Sequence, residues 1–330
     1  MRLEDIGFYT LSDARVLDLI QNGINKDLHR CELILTDRCN LRCPYCRGLK
    51  QEYRGDLPMD TARLIVQTWL NHSLRNVRFS GGEPTLYRGL EELVRMCRTG
   101  GVEHIAISTN GTAELNQYQR LLDAGVNDVS VSLDAGCCAT GDCMTGGITD
   151  SWQKARDTIE QLSKLTYVTV GMVFTEQNYP EAAEAVQYVD SLGPADIRII
   201  PSAQYNKALQ NLATLSTEIL DRYPILQYRI NNITNGRHVR GIQSNDSHRC
   251  HLALDDMAVV GDKHYPCIIY LREMGAPVGN FDSSVRERRH EWWSQHDTHR
   301  DSVCRQNCLD VCIDYNNRVE RFGRAVVETV

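Results

Sequence analysis

The chain has 330 residues, 42% of them apolar and 24% charged, enough for one large core or for a large domain with a smaller appendage. Its net charge of −7 argues against a surface that tracks long nucleic acid, which needs a basic excess, and Arg286, Arg288 and Arg289 read as a solvated helix face. No stretch approaches the roughly 20 apolar residues of a membrane span, so no membrane partner is expected.

The opening segment, MRLEDIGFYTLSDARVLDLI, has early acids and no apolar signal core, so a cytoplasmic location is expected. Leu11, Val16, Leu17, Leu19 and Ile20 are spaced for an amphipathic helix. From residue 31 short β-rich runs alternate with helical patterns. The predicted strands are 31–36, 76–80, 104–109, 128–133, 167–174 and 196–201. The predicted helices are 60–72, 88–98, 114–124, 152–164 and 180–192. Pro180 suits a first helical turn, and Asp150 or Ser151 is placed to cap the helix at 152–164. Six strands alternating with helices predict an α/β fold with a parallel sheet, either a βα barrel, closed or partial, or a flat doubly wound sheet.

Beyond 205 the pattern changes. Helical signals cover 206–221, and the polar run YRINNITNGRHVRGIQSNDSHRC reads as a connection. MAVVGDKHYPC (257–267) predicts a hairpin turning at Gly261-Asp262. Residues 284–323 are charged and mostly helical in pattern. The expected organisation is an N-terminal helical extension (1–30), a barrel (31–204), a connection (205–245) and a cysteine-rich hairpin-plus-helix module (246–330).

Thirteen cysteines are an odd count in a chain of this size. They favour metal or redox chemistry over a disulfide framework. Cys31 and Cys97 stand alone in apolar surroundings and read as small buried residues. Cys39, Cys43 and Cys46 form C-x3-C-x2-C within TDRCNLRCPYC. Three thiolates bind three irons of a 4Fe–4S cluster and leave the fourth open, the logic of a catalytic rather than a closed metal site. A zinc site completed from elsewhere is the alternative.

Three further motifs end successive strands: SGGEP (80–84), STNG (108–111) and SLDAG (132–136). With the cysteine loop they share the C-terminal strand ends, where parallel βα barrels build their active sites. The glycines of SGGEP allow close backbone approach. Glu83 offers a carboxylate to an ammonium group, and Pro84 fixes the following turn. Asn110-Gly111 also suits a plain turn, and Asp134 a plain helix cap.

The cysteine motif after a first strand, with GGEP after the second, resembles the radical S-adenosylmethionine (radical SAM) enzymes over about 31–203. The resemblance implies a partial (β/α)6 TIM-like barrel. It also implies that the amino and carboxylate groups of S-adenosyl-L-methionine chelate the open iron of a 4Fe–4S cluster. Reductive cleavage then gives a 5′-deoxyadenosyl radical that abstracts hydrogen from a substrate. By position, Cys39, Cys43 and Cys46 would hold the cluster, and Tyr45 would lie near the adenine. Gly81, Gly82, Glu83 and Pro84 would receive the methionine end. Ser132 and Asp134 would contact the ribose or carboxylate. Thr109 and Asn110 would face cosubstrate or substrate, and Arg78 reads as a substrate-anion contact or a surface arginine.

Cys250 and Cys267 bracket the predicted hairpin, and Cys304, Cys308 and Cys312 follow at four-residue intervals, which on one helix share a face. This resembles the SPASM and twitch auxiliary modules and implies one auxiliary 4Fe–4S cluster held by four of the five thiols. A zinc knuckle aided by His248, His251 or His264 is the alternative. Cys137, Cys138 and Cys143 lie in a glycine-rich loop, as incidental or substrate-facing thiols.

The expected activity is hydrogen abstraction from a peptide, nucleotide or small molecule, with an electron donor such as flavodoxin or ferredoxin. A cysteine-rich zinc protein on a barrel scaffold and a glycyl-radical activase are the competing readings. The resemblance to cyclases of molybdenum-cofactor synthesis covers the barrel only; their C-terminal glycine pair is missing from VVETV, and that activity is not assigned.

Overall fold

The computed structural model describes residues 29–48, 54–202 and 211–328. The helix expected near the N-terminus and the first residues of the 206–221 segment lie outside them. Six strands and their crossover helices follow the sequence pattern closely: β1 (Arg30–Ile34), α1 (Met59–Leu70), β2 (Asn76–Ser80), α2 (Leu90–Thr99), β3 (His104–Thr109), α3 (Leu115–Ala124), β4 (Asp128–Ser132), α4 (Cys138–Met144), α5 (Ser151–Leu162), β5 (Tyr167–Phe174), α6 (Ala182–Ser191) and β6 (Asp196–Pro201). Then come α7 (Thr217–Arg222), α8 (Pro224–Thr234), β7 (Asp256–Val260), β8 (Lys263–Tyr265), α9 (Ile268–Arg272), β9 (Gly279–Asn280), α10 (Val285–Gln295), α11 (Ser302–Asn307) and α12 (Asp310–Glu328).

The strands form one sheet in the order β6-β5-β4-β3-β2-β1-β7-β8-β9, parallel up to β7 and antiparallel beyond it. The sheet is open, with β6 and β9 at its edges. Alternate strand residues such as Cys31, Leu33, Val77, Phe79, Ile105, Val129, Val170 and Ile197 join one core with Trp69, Leu93, Tyr118, Ile159, Val186 and Leu226 from the helices. The helices therefore cover one face, and a flat doubly wound sheet, with helices on both, is excluded. Cys31 and Cys97 are buried in this core, as their surroundings imply.

The predicted hairpin turns at Gly261-Asp262, where Gly261 takes φ +58°. Its first strand pairs in parallel with β1, Leu33 opposite Val259. One sheet thus runs from the barrel strands into the cysteine-rich part of the chain. Two local expectations fail. Asp150 and Ser151 do not cap α5; Asp142 from α4 does, accepting from Trp152 N at 2.9 Å and from the Ser151 hydroxyl at 3.1 Å. Asp150 instead adopts φ +62° and makes no capping bond. The polar connection also contains a helix, α8, because Ile225, Leu226 and Ile230 supply a buried stripe among its polar residues.

Asp196 ties α8 to β6. It is fully buried and accepts from Ile197 N at 2.8 Å and Ile225 N at 3.0 Å. Burial lifts its carboxyl to about 6, against a reference of 3.8. Protonated Asp196 is the form that folding favours, so its contribution is complete below the unfolded value and is lost as pH rises through about 6. D196N should flatten the loss of stability between about pH 4 and 6 in denaturant titrations. Parallel stability curves for the two proteins would contradict this.

Candidate radical SAM site and second cysteine site

The loop after β1 carries Cys39, Cys43 and Cys46, and its base is clamped. Arg38 makes a paired contact to Asp56 at 2.8 and 2.7 Å and donates to Leu86 O at 2.8 Å. The Thr36 hydroxyl reaches Asp56 at 2.7 Å. Within the loop Cys46 N donates to Cys43 O at 3.0 Å, a tight turn across Pro44-Tyr45, and Leu41 N donates to Cys39 Sγ at 3.4 Å. Burial raises the Cys39 and Cys43 thiols, the latter to about 11, and the charges of neighbouring thiolates raise both further. Three soft donors within eight residues are a donor set that fits an iron–sulfur cluster.

SGGEP docks directly on this loop. Gly82 N donates to Thr36 O at 2.7 Å and Glu83 N to Arg38 O at 2.8 Å. A Cβ at Gly81 would stand 2.4 Å from Thr36 O, and one at Gly82 2.2 Å from Arg38 O. The glycines are required for backbone to meet backbone between two strand ends. Pro84 opens a short 3-10 turn, Pro84–Leu86.

Glu83 is 1% exposed. The carboxylate accepts from Thr85 N (3.1 Å), Thr85 Oγ1 (2.7 Å), Thr109 Oγ1 (2.8 Å) and Asn110 N (2.7 Å). Desolvation raises its pKa while these donors oppose the rise. Glu83 knits the β2 and β3 turns together. Thr109 is buried as well, and its hydroxyl meets Glu83 and Tyr118. Asn110 turns back on the cysteine loop, with Nδ2 2.8 Å from Asn40 Oδ1 and 3.9 Å from Cys39 Sγ.

On β4, Ser132 is exposed at the strand end, whereas Asp134 is buried and engaged. It accepts from Val173 N at 2.7 Å and from the Tyr45 hydroxyl, and burial lifts its carboxyl to about 6. Tyr45 thus latches the cysteine loop to the fourth strand. The α4 loop adds a second brace, because Arg42 N donates to Thr145 O at 3.0 Å and a Cβ at Gly146 would stand 2.5 Å from Arg42 O. Cys137, Cys138 and Cys143 are exposed on that loop.

The helix-free face of the sheet is polar where the strands alternate. Ser80 donates to Glu32 at 2.5 Å, Arg78 donates to Ser108 at 2.9 Å and Asp128 at 3.3 Å, and Arg198 donates to Ser130 at 3.1 Å. Arg78 is therefore not a surface arginine; it is 9% exposed. Arg198 is half-buried with its Nε enclosed and unpartnered, and desolvation and then Arg78 lower it to about 10. Sequence reading missed Arg198, although its place between Ile197 and Ile199 in DIRIIP carries the alternation that marks a polar inner face. It also missed a group at the rim: Arg47, next to Cys46, pairs with Glu273, while Arg240 lies 3.6 Å from Glu273 and Arg272 3.7 Å from Glu32. Arg240 Nε and Nη1 are buried without a hydrogen bond.

Cys250, Cys267, Cys304, Cys308 and Cys312 line one small cavity, walled by Leu252, Ile269, Tyr270, Trp292 and Val303. The sequence brings these thiols together, but not on one helical face. α11 ends at Asn307, Cys308 is extended at ψ 132°, and Cys312 belongs to α12. A bridge between Leu309 and Arg240 holds the break, and the kink turns three thiols around a centre rather than along a stripe. Burial raises Cys250 to about 12 and drives Cys267 and Cys304 higher, with neighbouring thiolates adding to each. Five thiols, Cys250 and Cys312 buried and the other three half-buried, around a mostly apolar cavity fit an iron–sulfur cluster. The histidines proposed from the sequence do not reach them in the described contacts. His248 is exposed and pairs with Asp297, His251 packs on Trp293, and His264 lies buried against Arg289. The ring that meets a thiol is His296, with Nε2 3.5 Å from Cys304 Sγ.

The structure thus combines an open α/β sheet with a three-cysteine loop after its first strand, braced by a GGEP turn. Residues 33–189 match the Radical SAM superfamily, whose enzymes use a 4Fe–4S cluster and S-adenosylmethionine. It is 32% identical over 128 residues to GTP 3′,8-cyclase of Tolumonas auensis, covering 37% of this chain and 38% of that protein. It is 28% identical over 203 residues to GTP 3′,8-cyclase of Staphylococcus aureus, covering 58% and 54% respectively. The chain therefore spans roughly two fifths to half of the curated relatives it matches. The fold is similar to anSMEcpe with bound AdoMet (TM-score 0.62, 17% identity, 92% of this chain and 98% of that one). It is also similar to Streptococcus suis SuiB bound to precursor peptide SuiA (TM-score 0.56, 16% identity, 84% and 67%). These neighbours support a partial TIM-like barrel. No helix among the described residues is long and apolar enough to cross a membrane.

Proposed function

We propose that the chain cleaves S-adenosylmethionine at Cys39, Cys43 and Cys46 and abstracts hydrogen from a substrate seated on the polar inner face of the sheet. The arrangement supporting this most is the mutual bracing of all four strand-end motifs around three thiols. A cluster bound there supplies the electron that splits the cosubstrate. The chain's own residues do the rest. Gly81, Gly82 and Glu83 present main-chain groups to the methionine end, and Pro84 sets their turn. Ser132 and Asp134 lie toward the ribose, and Tyr45 supplies an aromatic wall. The domain reading follows: barrel 31–204, connection 205–245 and auxiliary-cluster module 246–330, the last using four of Cys250, Cys267, Cys304, Cys308 and Cys312. A flavodoxin or ferredoxin serves as reductant.

The substrate reading is a peptide or nucleotide bearing an anionic group. Arg78 and Arg198 on the inner face and Arg240 at the rim support it, because two of the three keep buried N–H groups without acceptors. R240Q should weaken substrate capture at least tenfold in KM with cosubstrate cleavage retained; an unchanged KM would exclude that arginine from the substrate site.

The test of the whole reading is anaerobic purification. Two 4Fe–4S clusters require about eight irons per chain, with 5′-deoxyadenosine formed on reduction. Deuterium from a labelled substrate appearing in that product would place the abstraction. Stoichiometric zinc without iron would overturn the proposal.

A further inference from the structure

We propose that His296 is a positioning residue for the second cysteine site, its Nε2–H donating a hydrogen bond to the Cys304 sulfur of an auxiliary cluster. The inference rests on the auxiliary-cluster reading above. Nε2 lies 3.5 Å from Cys304 Sγ. A ligated thiolate is an acceptor only, so the imidazole must carry its proton on that nitrogen.

The ring is held in place by two aromatic neighbours. It stacks on Trp292, with centroids 3.9 Å apart and planes at 19°, and meets the Tyr270 ring edge-on at 6.1 Å and 83°. The Tyr270 hydroxyl donates to Asp301 Oδ2 at 2.8 Å, and Asp301 Oδ1 accepts from Cys304 N at 2.8 Å. Tyr270 N also donates to Cys267 Sγ at 3.4 Å. Histidine, aspartate and both thiols thus belong to one bonded unit. The donors to Cys267 and Cys250 are main-chain amides and the Asn316 side chain, whereas among the described residues Cys304 is the one of the five that meets an imidazole. Hydrogen bonds to cluster sulfurs stabilise the reduced, more negative state and raise the potential.

The sequence gives this residue no marker, because His296 belongs to no cysteine spacing and lies in SQHDTHRDSVC among other polar residues. His290 and His299 flank the same stretch; His290 packs on Trp293, and His299 stacks on His248 and reaches Asp246 O.

The experiment uses the intact holoenzyme with its clusters in place. H296F should keep the iron of both clusters, and its auxiliary midpoint potential should move negative. A tenfold loss in the reduction equilibrium corresponds to 59 mV for a one-electron couple. H296Q, which keeps an N–H at a similar reach, should stay near the parent value. In parallel, wild-type protein labelled with 15N-histidine should show a weak nitrogen coupling on the auxiliary signal by pulsed EPR, a readout that does not depend on either variant folding. An unchanged potential in H296F, equal shifts in H296F and H296Q, no histidine coupling, or a coupling of direct-ligand strength would each overturn the proposal. Wild-type protein with about four irons, all at the first site, would overturn the auxiliary-cluster reading itself.

Discussion

Replacing Cys39, Cys43 and Cys46 together by alanine should abolish 5′-deoxyadenosine formation while leaving about half of the iron, near four per chain. The two thiol groups sit in separate structural units. The first is a loop clamped by Arg38, Asp56 and Asn110, and the second is a cavity walled by the hairpin, α9 and α11. Loss of one set removes none of the contacts that assemble the other, so the second cluster should survive with its own EPR signal. The converse replacement of the five later cysteines should retain the first cluster and its response to the cosubstrate. Cleavage persisting in the triple variant would assign the chemistry to the wrong thiols.

The second large effect belongs to Gly82. In G82A the new methyl would stand 2.2 Å from Arg38 O and 2.6 Å from Arg38 C. Backbone cannot yield as a flexible side chain would. Relief of the clash must open the Gly82–Thr36 and Glu83–Arg38 hydrogen bonds, at 2.7 and 2.8 Å. Each is worth about 1 kcal/mol net, and leaving buried partners unpaired costs more. The expected loss is a few kcal/mol of local stability, concentrated where the cosubstrate's methionine end is proposed to lie. Cosubstrate affinity should fall at least a hundredfold, which corresponds to about 2.8 kcal/mol. The distant cavity of Cys250 and Cys312 should be untouched, so auxiliary iron should remain. Equilibrium binding of S-adenosylmethionine to the reconstituted variant checks this, and affinity within a few-fold of the parent would show that the turn does not need to touch the loop.

The strands were legible because each combines β-branched residues with a sharp boundary, and the helices because each has one apolar stripe. Cys39, Cys43, Cys46 and the GGEP turn were legible because their spacing encodes chemistry directly. What spacing cannot encode is which way a buried polar group turns. Glu83 reads as a ligand for an ammonium group, yet four donors from two strand ends claim its carboxylate. The regular four-residue interval of Cys304, Cys308 and Cys312 reads as a helix, yet the chain breaks at Cys308, where Leu309 bridges Arg240. That pairing spans almost seventy residues and leaves no local trace. The same holds for β7 joining β1, for Asp142 capping α5, and for the meeting of Arg47, Arg240 and Arg272 around Glu273 and Glu32. Long-range partners were the part of the site that the sequence concealed.

The most direct test of the central claim is to ask which thiols carry the cosubstrate. Reduced protein can be mixed with S-adenosylmethionine labelled with 15N at the methionine amino group and read by electron–nuclear double resonance. Three ligands and one open iron predict a nitrogen coupling of direct-ligand strength in the parent and in the variant lacking the five later cysteines. The coupling should vanish when Cys39, Cys43 and Cys46 are replaced. A coupling that survives their loss, or that disappears with the later cysteines, would contradict the assignment of the open site to the first loop.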